Sequence, residues 1–460
     1  MHKSERTITF VLLVLDVAMV VLVFNLAGYL RGVPNQVVLL GALVPPALAL
    51  ISAIYLIDGY RARTDMLSVD YASQHAIALA SALLATLLYT YVFASSNYSL
   101  QSSRGVIALS FFGLMALTLG YRRLIYQRSR NGGGTRHLVF LGDPESAREF
   151  RDECRKMGMR QTVIGAAVNG SSSLEPATAQ AQPPPPRLFH ELLAEMKAGT
   201  LSVEAIILRE NNRDLTPEVS QQLVQLHFQG VPTYTLELFY QVKWQKIPLY
   251  RINQTWLFQE GFQIAREPAF ERTKRAADIV LAALGLIVAA PVVLVAALCI
   301  RLGDGGPAFF TQTRIGLNRV PFRIVKLRTM QPGLDDGERY TQPGDVRVTR
   351  FGRWLRASRI DEFPQLWNVL RGHMSLIGPR AEWDRLVAEY EREISCYHFR
   401  HLVKPGITGW AQINYPYGAC LDDTLRKLEY DLYYIRHFSF RLDASIVLKT
   451  IHVMLFGKGR

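Results

Sequence analysis

The sequence predicts a chain of three parts: a membrane α-helical bundle, a Rossmann-like α/β domain, and a mostly α C-terminal domain with a re-entrant membrane helix. Three observations carry this reading. Hydrophobic residues make up 49% of the 460 and charged residues 20%, with mean hydropathy +0.09, which excludes a disordered or collagen-like chain and points to membrane segments. Apolar runs at 8–30, 37–57, 74–94, 105–121 and 276–300 each approach the ~20 residues that cross a bilayer. Between the fourth and fifth runs the pattern changes to short β-rich stretches alternating with helical ones. The four cysteines are far apart with no C-x-x-C pair, which argues against a structural zinc site or a secreted disulfide framework. Lys+Arg 52 against Asp+Glu 39 gives a net charge of +13, suited to an anionic partner: nucleic acid, anionic lipid or a phosphorylated substrate.

Residues 1–130 read as a four-span transmembrane block. The first run lacks a small-residue cleavage site and leads into another apolar run, so it reads as a retained helix rather than a signal peptide. Lys3 and Arg6 precede span one, Arg61 and Arg63 separate spans two and three, and Arg122, Arg123, Arg128, Arg130 and Arg136 follow span four. The positive-inside rule then places both ends of the block in the cytoplasm. Span four is the weakest. The fifth run differs, because Lys274 and Arg275 precede it, Arg301 follows it and Pro291 lies within it. A proline removes a backbone donor and clashes with the carbonyl four residues back, which breaks or kinks the helix near Ala290. A helix 276–300 that enters the membrane, bends and returns satisfies both charged flanks. A kinked crossing helix is the alternative, and it would place everything after Arg301 outside the cell.

Residues 131–245 form the predicted α/β domain. "NGGG" is a flexible connector, "HLVFLGD", "TVIGAAVN" and "VEAIILRE" read as strands, and "PESAREFRDECRKM" reads as a helix. The tract 171–186, rich in Pro, Ser and Ala, is a surface loop or linker. The first strand–helix turn, Gly142-Asp143-Pro144-Glu145-Ser146-Ala147, lacks the second and third glycines of a dinucleotide fingerprint. A structural or regulatory role therefore outweighs cofactor binding. Residues 246–270 are expected to be a connector.

Residues 271–460 carry the candidate chemistry. Basic residues cluster at Arg314, Arg319, Arg323, Lys326 and Arg328, then at Arg347, Arg350, Arg353, Arg356 and Arg359. Guanidinium groups suit phosphate oxygens, and a basic surface for anionic lipid accounts for part of the cluster. Nucleic acid is not expected, since no recognisable module accompanies the charge. In "SRIDEFPQLWNVLRGHMSLIGPR" (358–380), Ser358 followed by an acidic residue three positions on resembles a capping box. That places Asp361 and Glu362 in the first turn of a helix whose apolar face holds Phe363, Leu366, Trp367 and Leu370. Beside many arginines the pair fits phosphoryl transfer, one carboxylate as nucleophile and the other holding Mg²⁺ against a diphosphate; alternatively, both acids only favour the helix dipole. "IGPR" presents Arg380 on a Gly-Pro turn. "KPGITGWAQIN" (404–414), with Trp410 and Gln412, is either a substrate loop or plain turn chemistry.

These blocks, with "KRAADIVLAALGLIVAAPVVLVAALCIRLGDGGPAFFTQTRIGLNRVPFRIVKLRTM" and "LEYDLYYIRHFSFRLDASIVLKTI", resemble the bacterial polyprenyl-phosphate sugar-1-phosphate transferases over most of 271–460. The four-span block, the α/β domain and "KIPLYRINQTWLFQEGF" (246–262) resemble the large members tied to exosortase-type exopolysaccharide loci. The resemblance implies a catalytic domain in which Asp361 attacks the β-phosphorus of a UDP-sugar and expels UMP. A membrane polyprenyl phosphate then takes the sugar-phosphate. It implies Glu362 as the Mg²⁺ ligand, Arg356 and Arg380 near the active-site phosphate, Lys326 and Arg328 at substrate phosphate or at lipid headgroups, and Pro291 as the break of the membrane helix. Where many members continue "AQVNGR", this chain has "AQINYPYG", so an arginine expected near nucleotide or sugar is absent. The implied location is the bacterial inner membrane, multi-pass, with the catalytic domain on the cytoplasmic face and a homodimer as a possible assembly. Two other readings compete. A membrane-anchored nucleotide-sugar dehydratase or epimerase needs NAD and a Tyr-x-x-x-Lys pair, and no Tyr here has Lys four residues on. A non-enzymatic membrane assembly scaffold would use the Asp-Glu pair only as a helix cap.

Overall fold

A computed structural model describes residues 2–31, 40–61, 64–93, 104–131, 137–159, 161–167, 187–209, 215–249, 268–331, 345–394, 396–415, 418 and 420–456. The chain is mostly helical, with apolar helices toward the N-terminus and a sheet-containing region after them, and it divides into two compact units, Met1–Gln245 and Lys246–Arg460. The expected linker 171–186 and most of the block 246–262 lie outside the described residues.

The first unit opens with α1 (His2–Leu30), α2 (Leu40–Leu56), α3 (Val69–Val92) and α4 (Arg104–Asn131). Within α1, α3 and α4 the segments Thr7–Leu30, Val69–Val92 and Arg104–Arg128 are long and apolar enough to cross a membrane, and the last has the lowest hydropathy, as expected for span four. The second expected span is described from Leu40 on, as α2 of 17 residues with Pro45 and Pro46 inside it. The helices meet around a buried ion pair absent from the hydropathy reading. Arg122 on α4 grips Asp16 on α1 with both guanidinium nitrogens, at 2.8 and 2.5 Å. The Tyr60 and Tyr121 hydroxyls donate to the same carboxylate, and His75 on α3 meets Thr118 on α4 at 2.8 Å. In an apolar surround each group needs its partner, so the network fixes the register of the bundle.

The sheet comprises β1 (His137–Leu141), β2 (Thr162–Ala167), β3 (Arg187–Leu188), β4 (Val203–Leu208) and β5 (Thr233–Thr235), in the order β3-β2-β1-β4-β5 with every pair parallel. Alternate side chains of β1 feed two cores: Leu138 and Phe140 join Phe150, Phe239 and Trp244, while Val139 and Leu141 join Leu192, Ile206 and Leu223. α5 (Pro144–Lys156), α6 (Phe189–Lys197), α7 (Pro217–Phe228) and the short α8 (Leu236–Phe239) supply the helical layers. At the carboxyl end of β1, Asp143 caps α5 and pairs with Arg209, which follows β4.

The second unit begins where a connector was expected. Ile247 is fully buried in its core and donates its amide to Glu429 O at 3.0 Å. α9 (Pro268–Asp304) is one helix of 37 residues, and the break expected at Pro291 does not form: the helix loses one backbone donor there and continues. The hairpin β6 (Phe309–Ile315) and β7 (Pro321–Leu327) follows, then α10 (Arg350–Ser358), a 3-10 turn Ile360–Glu362, α11 (Gln365–Leu370), β8 (Ser375–Ile377), α12 (Asp384–Glu393), β9 (Gly406–Thr408), α13 (Trp410–Asn414), α14 (Leu421–Arg436) and α15 (Phe440–Phe456). α9 touches this unit along its whole length. Lys274 pairs with Asp443 at 2.5 Å, Arg275 donates to the carbonyls of Val369 and Leu370, and Asp278 accepts from Leu376 N. Ala282 packs with Phe322 and Val369, and two turns beyond Pro291 Ile300 packs with Leu327 and Leu355. The other face exposes Leu284, Ile287, Val288, Leu294, Val295 and Leu302.

Candidate active site

The site is assembled on β7, the 3-10 turn and the loop after β8. Thr349 caps α10 by accepting from Gly352 N at 2.8 Å. Gly352 lies so close to the Thr329 carbonyl that a Cβ would meet it at 2.1 Å, so only glycine lets α10 press onto the segment leaving β7. One turn later Arg356 donates Nε to Thr329 Oγ1 at 2.8 Å. The expected capping box does not form: Ser358 Oγ donates back to Trp354 O and Leu355 O and closes α10. Arg359 adopts a left-handed φ of 57°, the chain turns, and Asp361 and Glu362 sit on the 3-10 turn before α11 rather than in a helix's first turn. α11 buries Gln365, Asn368 and Val369, whereas Trp367, placed on its apolar face by the sequence reading, is 47% exposed.

The two carboxylates occupy different environments. Glu362 Oε1 receives Lys326 Nζ at 3.4 Å and Arg380 Nη2 at 3.4 Å, and Arg359 lies 3.9 Å from Oε2. Burial raises its pKa, but these three cations outweigh it and hold the carboxyl at about 2. Asp361 is 8% exposed. Burial, and then the charge of Glu362, push its pKa up to about 6 against the pull of Lys326, Arg356 and Arg380. Burial, with Arg380 and Arg314 nearby, lowers the Lys326 amine against the pull of Glu362.

Arg380 is held by its backbone. Gly378, Gly406 and Gly409 bring the turns after β8 and β9 into direct backbone contact, with a Cβ on any of them meeting a backbone atom at 2.3 Å or less. Gly406 N donates to Pro379 O at 2.8 Å. Arg400 donates to Arg380 O at 3.0 Å, to Asp431 at 2.8 Å and to the Tyr397 hydroxyl at 2.6 Å. Thus Lys326, Arg356, Arg380, Asp361 and Glu362 are brought together. Arg328 is directed elsewhere, onto Asp304 at the end of α9. Gln412 donates Nε2 to Ile407 O at 3.1 Å and stiffens its own loop. Arg359, read only as one of the basic cluster, is the left-handed residue that turns the chain, and the residues the sequence reading passed over are the Asp431–Arg400 pair behind Arg380 and Gln365. Their signals were weak, since each is one polar residue in an otherwise ordinary run.

The donor set suits Mg²⁺. Among the described residues no group of three or more His, Cys, Asp or Glu gathers, but Mg²⁺ commonly takes one or two carboxylates and completes its shell with water and substrate phosphate. Glu362, held ionised, has no proton to shed before binding a metal.

The sequence model of the bacterial sugar transferases matches residues 269–457. The chain is 38% identical over 269 residues to the UDP-N-acetylgalactosamine-undecaprenyl-phosphate N-acetylgalactosaminephosphotransferase of Aeromonas hydrophila, covering 58% of this chain and 63% of that protein. It is 45% identical over 192 residues to the UDP-glucose:undecaprenyl-phosphate glucose-1-phosphate transferase of Caulobacter vibrioides, covering 41% of this chain and 71% of that protein. It is 40% identical over 195 residues to the exopolysaccharide production protein PSS of Rhizobium leguminosarum, covering 40% of this chain and 97% of that one. The chain thus spans less than two thirds of the Aeromonas relative, yet nearly all of the Rhizobium one. The matched segment holds the whole carboxylate and cation cluster, and with it the chain belongs to the bacterial sugar transferase family.

Proposed function

We propose that the chain transfers a sugar-1-phosphate from a UDP-sugar to a membrane polyprenyl phosphate, giving polyprenyl-diphosphate-sugar and UMP, and so initiates exopolysaccharide or related glycan synthesis. The observation that carries the reading is the divided carboxylate pair, a buried Asp361 beside a Glu362 ringed by Lys326, Arg380 and Arg359. The printed activities of the Aeromonas and Caulobacter relatives support it. In the first step an Asp361 oxygen attacks the β-phosphorus, the bond to the α-phosphoryl oxygen breaks, and UMP leaves with the electron pair. In the second step an oxygen of the lipid phosphate attacks the same phosphorus and the aspartyl oxygen leaves as carboxylate. A covalent acyl phosphate divides one displacement into two easier ones. Arg356, Arg380 and Lys326 neutralise the charge that develops on the transferring phosphoryl group. Glu362 would hold Mg²⁺, which supplies further neutralisation of the diphosphate.

The membrane arrangement follows from charge and packing. We place the protein in the bacterial inner membrane with the second unit on the cytoplasmic face, a reading supported by the basic residues at the ends of the spans, Arg61 and Arg123 among them. We read α9 as re-entrant: both charged flanks and the residues either side of Pro291 contact one compact unit, and a crossing helix would divide that unit. We read the parallel sheet as a Rossmann-like domain with a structural or regulatory role, since the Asp143–Arg209 pair lies where a nucleotide's phosphates would approach. Residues 1–130, 131–245 and 271–460 then anchor, support and react.

The test is UMP release from a panel of UDP-sugars by the full-length, detergent-purified protein with Mg²⁺ and polyprenyl phosphate, with the lipid product identified by mass. The proposal expects one donor or a few related donors to give UMP and polyprenyl-diphosphate-sugar in equal amounts. Absence of both with every donor contradicts it.

A further inference from the structure

Two amides are buried on α11, three residues apart, and only one serves the fold. Asn368 donates Nδ2 to Arg323 O at 2.7 Å and accepts from Val325 N at 3.0 Å, stitching α11 to β7. Gln365 is 3% exposed, and its buried Nε2 has no hydrogen-bond partner among the described residues. A buried donor left unpaired is costly, so a native fold that keeps one needs a reason. Gln365 lines a narrow cleft with Arg314, Lys326 and Arg380, and the last two also bond Glu362. Among three cations the amide has donors for neighbours, so its partner has to be an acceptor that the site brings in, and the positive field selects an anionic oxygen.

We infer that Gln365 is a substrate-binding residue whose Nε2 donates to a non-bridging phosphoryl oxygen of the diphosphate held at Asp361. The inference rests on the transferase reading. Gln365 lies four residues after Asp361, and α11 is pinned by Asn368 and by the Arg275 bonds to Val369 O and Leu370 O, so the amide is fixed relative to the reacting carboxylate. A sugar hydroxyl or a uracil carbonyl satisfies the donor but makes no use of the cations around it.

Gln365→Met keeps the side chain's length and removes the amide. In the full-length protein in detergent, the variant is expected to keep or raise Tm without ligand, because an unpaired buried donor is gone. Its kcat/KM for the UDP-sugar is expected to fall roughly 10- to 100-fold, the loss of one hydrogen bond to a charged group. The rise in Tm that inorganic pyrophosphate with Mg²⁺ gives the wild type should fall by more than half. Asn368→Ala, by contrast, lowers Tm without ligand. A Gln365→Met protein with wild-type kcat/KM and a wild-type pyrophosphate response overturns the inference, as does a lowered ligand-free Tm, which would make the amide structural. If the wild type releases no UMP from any donor yet its pyrophosphate response depends on Gln365, the anion site stands and the transferase reading falls.

Discussion

Asp361 and Glu362 are adjacent in the chain and opposite in electrostatic state. Three cations hold the Glu362 carboxyl at about 2, while burial and the Glu362 charge push Asp361 up to about 6. In the proposed reaction the attacking group is the Asp361 carboxylate, so kcat/KM for the UDP-sugar should fall about tenfold per pH unit below about 6 and level off above it, as read from a pH profile. The same shift has a consequence for stability. A carboxyl whose folded pKa is raised favours folding at low pH and opposes it once ionised. Asp361→Asn should therefore raise stability at pH 7.5 by up to about 3 kcal/mol, and the gain should vanish as the pH falls through 6 to below 4. Thermal unfolding across that range checks it. Glu362→Gln removes the counter-charge of Lys326, Arg380 and Arg359; UMP release should drop at least about a hundredfold, with a higher Mg²⁺ concentration needed for half-maximal rate.

At the scale of elements, the site depends on close backbone approaches. A methyl group on Gly352 would strike the Thr329 carbonyl at 2.1 Å, so Gly352→Ala should cost about 1–3 kcal/mol and displace Arg356 from Thr329, lowering both Tm and kcat. The membrane block depends on one ion pair. Asp16→Ala leaves Arg122 uncompensated in an apolar surround, with an expected loss of about 3–5 kcal/mol, visible as a lower Tm and yield in detergent. The sequence revealed the apolar helices, α5 and the strands β1, β2 and β4 through their apolar periods, and the Asp-Glu pair through its arginine-rich setting; the short β3 and β5 and the strands of the second unit, β6 to β9, went unread. It misplaced the pair because Ser358 had two sets of partners, the amides ahead of it and the carbonyls behind it. The left-handed turn at Arg359 directs it to the latter. Arg328 was indistinguishable from Lys326 in "VKLRTM", since nothing in the strand tells which side chain meets Asp304 and which meets Glu362. Gln365 and Asn368 both read as ordinary polar residues of an amphipathic helix; only their partners separate them.

In the whole molecule, one long apolar helix enters and leaves the bilayer by the same face in the proposed arrangement. α9 has 37 residues, about 55 Å at helical rise, against about 30 Å of hydrocarbon. It nonetheless keeps contact with the second unit from Lys274 to Asp304. Single cysteines at Glu271 and Gly303, in a background lacking Cys154, Cys299, Cys396 and Cys420, should both react with a membrane-impermeant thiol reagent in inside-out vesicles and both resist it in right-side-out ones. Opposite behaviour at the two positions would mean that α9 crosses. The covalent exchange at Asp361 is read most directly from the intact mass of the full-length protein after incubation with Mg²⁺ and UDP-sugars without lipid. An added sugar-phosphate mass with an equal amount of UMP is expected, absent in Asp361→Asn and discharged by polyprenyl phosphate. No adduct with a donor that is turned over only when lipid is present would contradict it and assign a direct transfer instead.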